Sequence, residues 1–149
     1  MSTPQQDFVV PGRQDRVLAF GFKLAEGGAH ISRTIMLNEI TRLMASSDAV
    51  ATSENYNRLV VTENVLGKST ETTRQKTFRH LRELYALSSK IPIFSVYREL
   101  MKFDPQSGPL LSLLIAWARD PLLRATTPAI LGATSGEQVT GSDLQHGFF

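Results

Sequence analysis

The stretch from Asn64 to Leu87, NVLGKSTETTRQKTFRHLRELYAL, decides how the rest of the chain is read. Gly67 suits the left-handed position after a helix end, because it has no Cβ to clash there. Ser69 and Thr70 are capping residues, and Glu71 puts an acid in the first turn, where the helix dipole favours it. The pattern predicts a helix from Ser69 or Thr70 to about Leu87. At 100° per residue, Phe78, Leu81, Leu84, Tyr85 and Leu87 share one side, and Gln75, Lys76, Arg79, Arg82 and Glu83 share the other. Arg74 falls on the apolar side. Upstream, Tyr56, Leu59, Val60 and Leu66 give an apolar face to a helix over residues 54–66. Two helices joined by a short turn containing glycine make a helix–turn–helix-like unit over 54–87.

Working outward, Ile31, Ile35, Met36, Ile40, Leu43 and Met44 recur at helical spacing and predict a helix from Ile31 to Ala45, after a turn at Leu24 to Gly28. Ser46-Ser47-Asp48 breaks it, with Asp48 or Ser53 able to cap the next helix. Pro92 ends the next connection, and a helix is expected over about Ile93 to Phe103, with Phe94, Tyr97, Leu100 and Met101 on one side. Leu110 to Arg119 is apolar nearly all round, which predicts a buried central helix with Leu113, Leu114 and Trp117 in the core. Asp120-Pro121 reads as an N-cap followed by proline at the first helical position, and Thr127-Pro128 repeats that signal. No useful stretch alternates with period two. The expected fold is therefore all-α: a helix–turn–helix-like centre packed on a second layer of helices over 93–132.

Residues 1–23 read as an N-terminal arm, with an apolar patch at Phe8-Val9-Val10. Residues 24–132 read as the helical domain. Residues 133–149 read as a linker and the start of a C-terminal segment at Ser142-Asp143-Leu144. The Phe148-Phe149 end is what an interrupted chain looks like; it is also what a short segment packing its phenylalanine pair on the core looks like.

Length and composition narrow the function classes. A chain of 149 residues with 42% hydrophobic and 20% charged side chains is sized for one folded domain. It has no cysteine, which removes disulfide scaffolds, thiol nucleophiles and cysteine-ligated metal sites. The longest apolar run, from Leu110 to Ala118, is far short of the roughly 20 residues that cross a bilayer. Lys23 interrupts the only signal-like stretch, so a cytoplasmic location with no membrane is expected. His30, His80 and His146 lie too far apart for ligand spacing, and His80 reads as a surface residue beside the basic helix face. Gly27-Gly28 lacks the lysine and strand of a phosphate loop. Neither a cofactor nor a metal is expected, and no nucleophile–base pair or acidic cluster points to catalysis.

Charge gives the positive signal. The chain carries 16 basic and 14 acidic side chains, for a net +2. Between Lys68 and Arg82, five basic side chains (Lys68, Arg74, Lys76, Arg79, Arg82) against Glu71 give +4, leaving the remainder near −2. Lys and Arg neutralise phosphates and release counterions. Hydroxyls at a helix start hold phosphate oxygens. A basic helix with a threonine-rich entry therefore suits double-stranded DNA. The candidate DNA-binding residues are Lys68, Ser69, Thr70, Arg74, Lys76, Arg79 and Arg82, with about four cations meeting phosphates. An exposed basic face is also what a merely solvated helix presents. The alternative function is a protein–protein interaction subunit that meets an acidic partner without touching nucleic acid.

Four segments resemble the BrxA family of bacterial BREX phage-defence systems. They are Leu24-Ala-Glu-Gly-Gly-Ala29, Asn64-Val-Leu-Gly-Lys-Ser69 followed by Thr73-Arg74, Arg79-His-Leu-Arg-Glu-Leu84, and Arg119-Asp-Pro-Leu-Leu-Arg124. Their order and spacing, over about residues 24–132, carry the resemblance. It implies an all-helical, non-catalytic DNA-binding accessory protein that works beside other BREX subunits. Two departures stand out. The family's helices beyond Gln145 have no counterpart here, and Leu84-Tyr85 replaces the usual Arg-Leu.

Overall fold

The computed structural model describes residues 12–24, 35–47 and 52–145. Phe8 to Val10, Gly27-Gly28, His30, Ile31, Asp48, His146 and Phe148-Phe149 lie outside them. The described residues form eight α-helices: α1 (Arg13–Phe20), α2 (Leu37–Ala45), α3 (Ser53–Asn57), α4 (Glu71–Tyr85), α5 (Pro92–Phe103), α6 (Gly108–Arg119), α7 (Pro121–Gly132) and α8 (Gly141–Gln145). Among the described residues there is no strand, and the protein is all-α as expected.

Helix α6 is the hub, packing against α4, α5, α7 and α2. The core beneath it is aromatic. Tyr56 meets Phe94 edge-on at 5.6 Å, Phe94 stacks on Tyr97 at 6.2 Å, and Tyr97 lies 5.7 Å from Tyr85. Each of these tyrosines is buried, and burying a hydroxyl without a partner is costly. Tyr85 accordingly donates to the Ile35 carbonyl at 2.6 Å, Tyr97 shares a 2.9 Å hydrogen bond with Ser112, and Tyr56 receives the Arg98 guanidinium.

The residues before Lys23 are not a loose arm throughout. Arg13–Phe20 is helical and packs on α5. Gly21 makes this possible: its φ is +123°, and a Cβ there would lie 2.5 Å from Ile93 Cγ2. Two arginines latch the same segment to the bundle. Arg119 donates to the carbonyls of Gly21 (2.8 Å) and Glu83 (2.9 Å), and Arg124 donates to those of Ala118 (2.7 Å) and Lys23. Between them Asp120 caps α7, accepting from Leu122 N–H at 2.9 Å. The Arg119-Asp-Pro-Leu-Leu-Arg124 segment is thus a structural clamp.

Several expectations are corrected. The helix over 54–66 is shorter: after α3 the chain widens into a π-helical turn, Arg58–Thr62, closed by Glu63 N–H on the Arg58 carbonyl at 2.9 Å. Asn64 (φ 52°) then ends the helical path before Gly67 (φ 66°), so the connection to α4 is longer than the turn of a simple helix–turn–helix unit. Helix α4 stops at Tyr85, because Ala86 and Leu87 both take positive φ, 68° and 48°, while Leu87 is fully buried. Such conformations cost about 1–3 kcal/mol each outside glycine and persist only where packing holds them. Thr127-Pro128 is no restart, since α7 runs through Pro128. The Thr127 hydroxyl instead donates to the Leu123 carbonyl (3.0 Å) and receives Trp117 Nε1 (2.9 Å).

The largest correction concerns α6. Leu113 and Leu114 are 44% and 53% exposed, Leu110 is 59% exposed, and Trp117 is half-buried. The buried side of α6 is Gly108, Ser112, Ile115, Ala116 and Ala118. A helix without a polar face turns its small residues toward its neighbours, because they let backbones approach closely. A Cβ on Gly108 would sit 3.1 Å from Met101 Sδ. Leu100 on α5, expected on the core side, is likewise 42% exposed.

Candidate nucleic-acid interface

Helix α4 sorts its two sides as its sequence predicts. Phe78, Leu81, Leu84 and Tyr85 are buried, and Gln75, Lys76, Arg79 and Arg82 are exposed. The helix starts where its capping chemistry dictates: Thr70 Oγ1 accepts the Thr73 N–H at 3.1 Å.

The structure divides the seven candidate residues into three groups. Lys76, Arg79 and Arg82 stand at intervals of three residues, about one helical turn apart, on the open side of α4. None of the ion pairs formed by described residues involves them. The Arg82 guanidinium lies 5.5 Å from the centre of the Phe78 ring, a cation–π contact that holds the group at the helix surface. Ser69 and Thr70 sit at the N-terminal entry, both exposed. The Thr70 hydroxyl is engaged as the cap and also contacts the Thr73 hydroxyl at 2.8 Å.

Lys68 and Arg74 are elsewhere. Lys68 Nζ pairs with Glu39 of α2 at 2.9 Å, with both side chains about one-quarter exposed. Its backbone N–H donates to Asn64 Oδ1 (2.8 Å), and Asn64 Nδ2 donates back to the Lys68 carbonyl (3.0 Å). Arg74 turns under the helix and donates from Nη1 to the Val61 carbonyl at 2.9 Å, holding the π-helical turn against α4. The Asn64–Ser69 and Thr73-Arg74 segments therefore build the connection between helices. His80, expected at the surface, is 7% exposed.

One cation was not signalled by the sequence. The Arg119 guanidinium, bound to the Gly21 carbonyl and to the Glu83 carbonyl, brings the 21–23 segment beside the last turn of α4. Lys23 is exposed there, and its pKa is lowered by partial burial and then by the nearby positive charge of Arg119, with Arg82 also contributing. Lys23 and Arg82 are 59 positions apart, and nothing in either local pattern links them. Lys23 thus stands near Arg82 beyond the end of the row, with Glu83 also close to it.

Among the described residues no three His, Asp or Glu side chains cluster to hold a metal, and no helix is long and apolar enough to cross a membrane. Compared with known proteins, the chain matches no family model, no curated protein and no solved structure.

Proposed function

We propose that this protein binds duplex DNA through the open face of α4, as a non-catalytic accessory factor. The observation that carries this reading is the row of Lys76, Arg79 and Arg82, exposed and outside the ion pairs of the described residues, on a helix anchored rigidly from behind. Lys and Arg placed this way hold phosphates irrespective of sequence, whereas the amide of Gln75, at the edge of the row, donates from Nε2 to Glu71 at 3.1 Å and would have to leave that carboxylate to read a base edge. Glu71 in the first turn of α4 and Glu83 in its last flank the row, which confines the attractive surface to the middle of the helix. The resemblance of four ordered segments to the BrxA family extends the reading to a BREX phage-defence system in the bacterial cytoplasm, beside its larger subunits.

The test is equilibrium titration of a fluorescent duplex at low salt. Wild type binds. Joint replacement of Lys76, Arg79 and Arg82 by alanine abolishes binding while the helical circular-dichroism signal is retained. The pair Lys68→Ala and Arg74→Ala loses stability with only a small change in affinity measured on folded protein. Absence of wild-type binding at low salt, or full binding by the triple variant, overturns the reading.

A further inference from the structure

The side of the molecule formed by α5 and α6 carries an apolar surface that the nucleic-acid reading does not use. On α5, Val96, Leu100 and Phe103 repeat at i, i+4 and i+7 and are 45%, 42% and 89% exposed. On the neighbouring α6, Leu110, Leu113 and Leu114 form a second stripe, 59%, 44% and 53% exposed. A short 3-10 turn, Pro105–Ser107, joins the two helices, so they run antiparallel and the stripes lie side by side. Together these six side chains leave roughly 600–700 Å² open to solvent, at or above the largest apolar patch of an ordinary monomer, about 300–600 Å². Each partner in a standard-size protein interface contributes about 800 Å².

We infer that this face pairs with the same face of a second copy of the chain, in a twofold dimer. Three features make the surface complementary to itself. First, the exposed apolar area approaches the roughly 800 Å² that each partner gives to a standard-size interface. Second, the surface carries both a knob and a hole. Phe103 projects from the end of α5, while an apolar groove of about 250 Å³, lined by Val96, Leu100, Leu111, Leu114 and Trp117 and by Phe20 and Phe22 before α5, opens further back along the helix pair. That volume exceeds the roughly 150 Å³ cavity that holds a benzene molecule. Third, the register closes. With the twofold axis at Leu100, antiparallel α5 helices bring Phe103 of one copy opposite Val96 and Tyr97 of the other. The same axis sets Glu99 near Lys102 of the second copy. Within one chain these two side chains already pair at 3.3 Å on the rim of the stripe. A twofold contact in which residue i meets j and j meets i needs this kind of surface.

Sedimentation velocity of the full 149-residue chain across micromolar concentrations tests the inference. The expected result is reversible association to twice the 16.5 kDa chain mass and no further. Phe103→Glu and Leu110→Glu, both at exposed positions, are expected to weaken the dimer by about 30-fold or more, the scale of an interface hot spot. Their helicity should stay at the wild-type value, and their thermal midpoint at that of the dilute wild-type monomer, because association itself raises the midpoint; two variants are used so that a folding defect in one leaves the other readable. Glu99→Lys or Lys102→Glu alone is expected to weaken association, and the two together to restore it. A wild type that stays monomeric, mass that keeps growing past the dimer, or folded Phe103→Glu and Leu110→Glu variants that dimerise as wild type would each overturn the inference. It does not depend on DNA binding.

Discussion

Helices α4 and α6 pack against one another, yet they meet solvent by opposite rules. In α4 the large apolar side chains point in, Lys76, Arg79 and Arg82 point out, and Arg74 turns in only onto a carbonyl partner. In α6, which has no charged side chain before Arg119, the glycine, serine and both alanines point in together with Ile115, while Leu110, Leu113 and Leu114 point out and Leu111 is half-buried. When a helix has one polar face, hydration sorts its sides, because turning a guanidinium inward without a hydrogen-bond partner costs far more than any packing gain. When every face is apolar, transfer from water hardly distinguishes them. Close approach of neighbouring backbones then decides, and that favours the side with the smallest residues. The outcome is a molecule with two unlike surfaces, one basic and one apolar, on adjacent helices.

Substitution of neighbouring residues breaks or sharpens this contrast. On α4, Phe78→Ala should cost about 3–5 kcal/mol by urea denaturation, while Arg79→Ala next to it should stay within about 0.5 kcal/mol. Comparable losses at both sites would contradict the sorting of that helix. On α6 the usual size rule inverts. Enlarging the small side with Ala116→Leu should cost about 1–3 kcal/mol or more, because Ala116 is fully buried. Truncating the large side with Leu114→Ala should cost less than about 1.5 kcal/mol, since Leu114 already stands half in solvent. The reverse order in thermal unfolding would place the leucine face inside.

A pH titration probes the aromatic layer that both helices share. Burial raises the pKa of Tyr85, of Tyr97 and of Tyr56 above the ordinary value of 10.0. Above pH 10 the unfolded chain loses these protons and the folded chain keeps them, so folding binds more protons and stability falls as pH rises. Their contribution is intact below pH 10 and is lost through the raised folded values above it. The expected slope is about 1.4 kcal/mol per pH unit for each tyrosine that stays protonated. Because these are the protein's 3 tyrosines, tyrosinate absorbance should appear together with loss of helicity. Early ionisation of a tyrosine in the folded protein would show an open core. The smallest effect is expected at the connection before α4. Lys68→Ala removes a partly shielded ion pair to Glu39 and should cost about 1 kcal/mol or less by the same denaturation.

The reach of the sequence divides along the same contrast. A cap at Ser69 or Thr70, Phe78, Leu81, Leu84 and Tyr85 as the buried side and Asp120-Pro121 as a restart were legible, because each rests on local hydrogen bonding or on strong polarity. The inward side of α6 was not legible, because its residues differ in size rather than polarity. The internal roles of Lys68 and Arg74 were hidden for another reason. Their partners, Glu39 on α2 and the carbonyl of Val61, are supplied by the tertiary fold and by a π-helical turn that periodicity does not reveal. Lys23 reaches the end of α4 only through the Arg119 clamp. Of the candidate cations, the three legible from the sequence were those whose face was set by α4 alone.

The salt dependence of duplex binding tests the central claim most directly, because it counts phosphate contacts. Three contacts, from Lys76, Arg79 and Arg82, predict that log K falls with log salt at a slope near −2.7, from about −0.9 per contact, and that Arg79→Ala brings it near −1.8. The four contacts suggested by charge alone would give about −3.6, and five about −4.5. A slope near −2.7 that drops by about one unit on Arg79→Ala is the expected result. A slope near −4.5, or one unchanged by Arg79→Ala, would contradict the division of the basic residues into a binding face and a structural clamp.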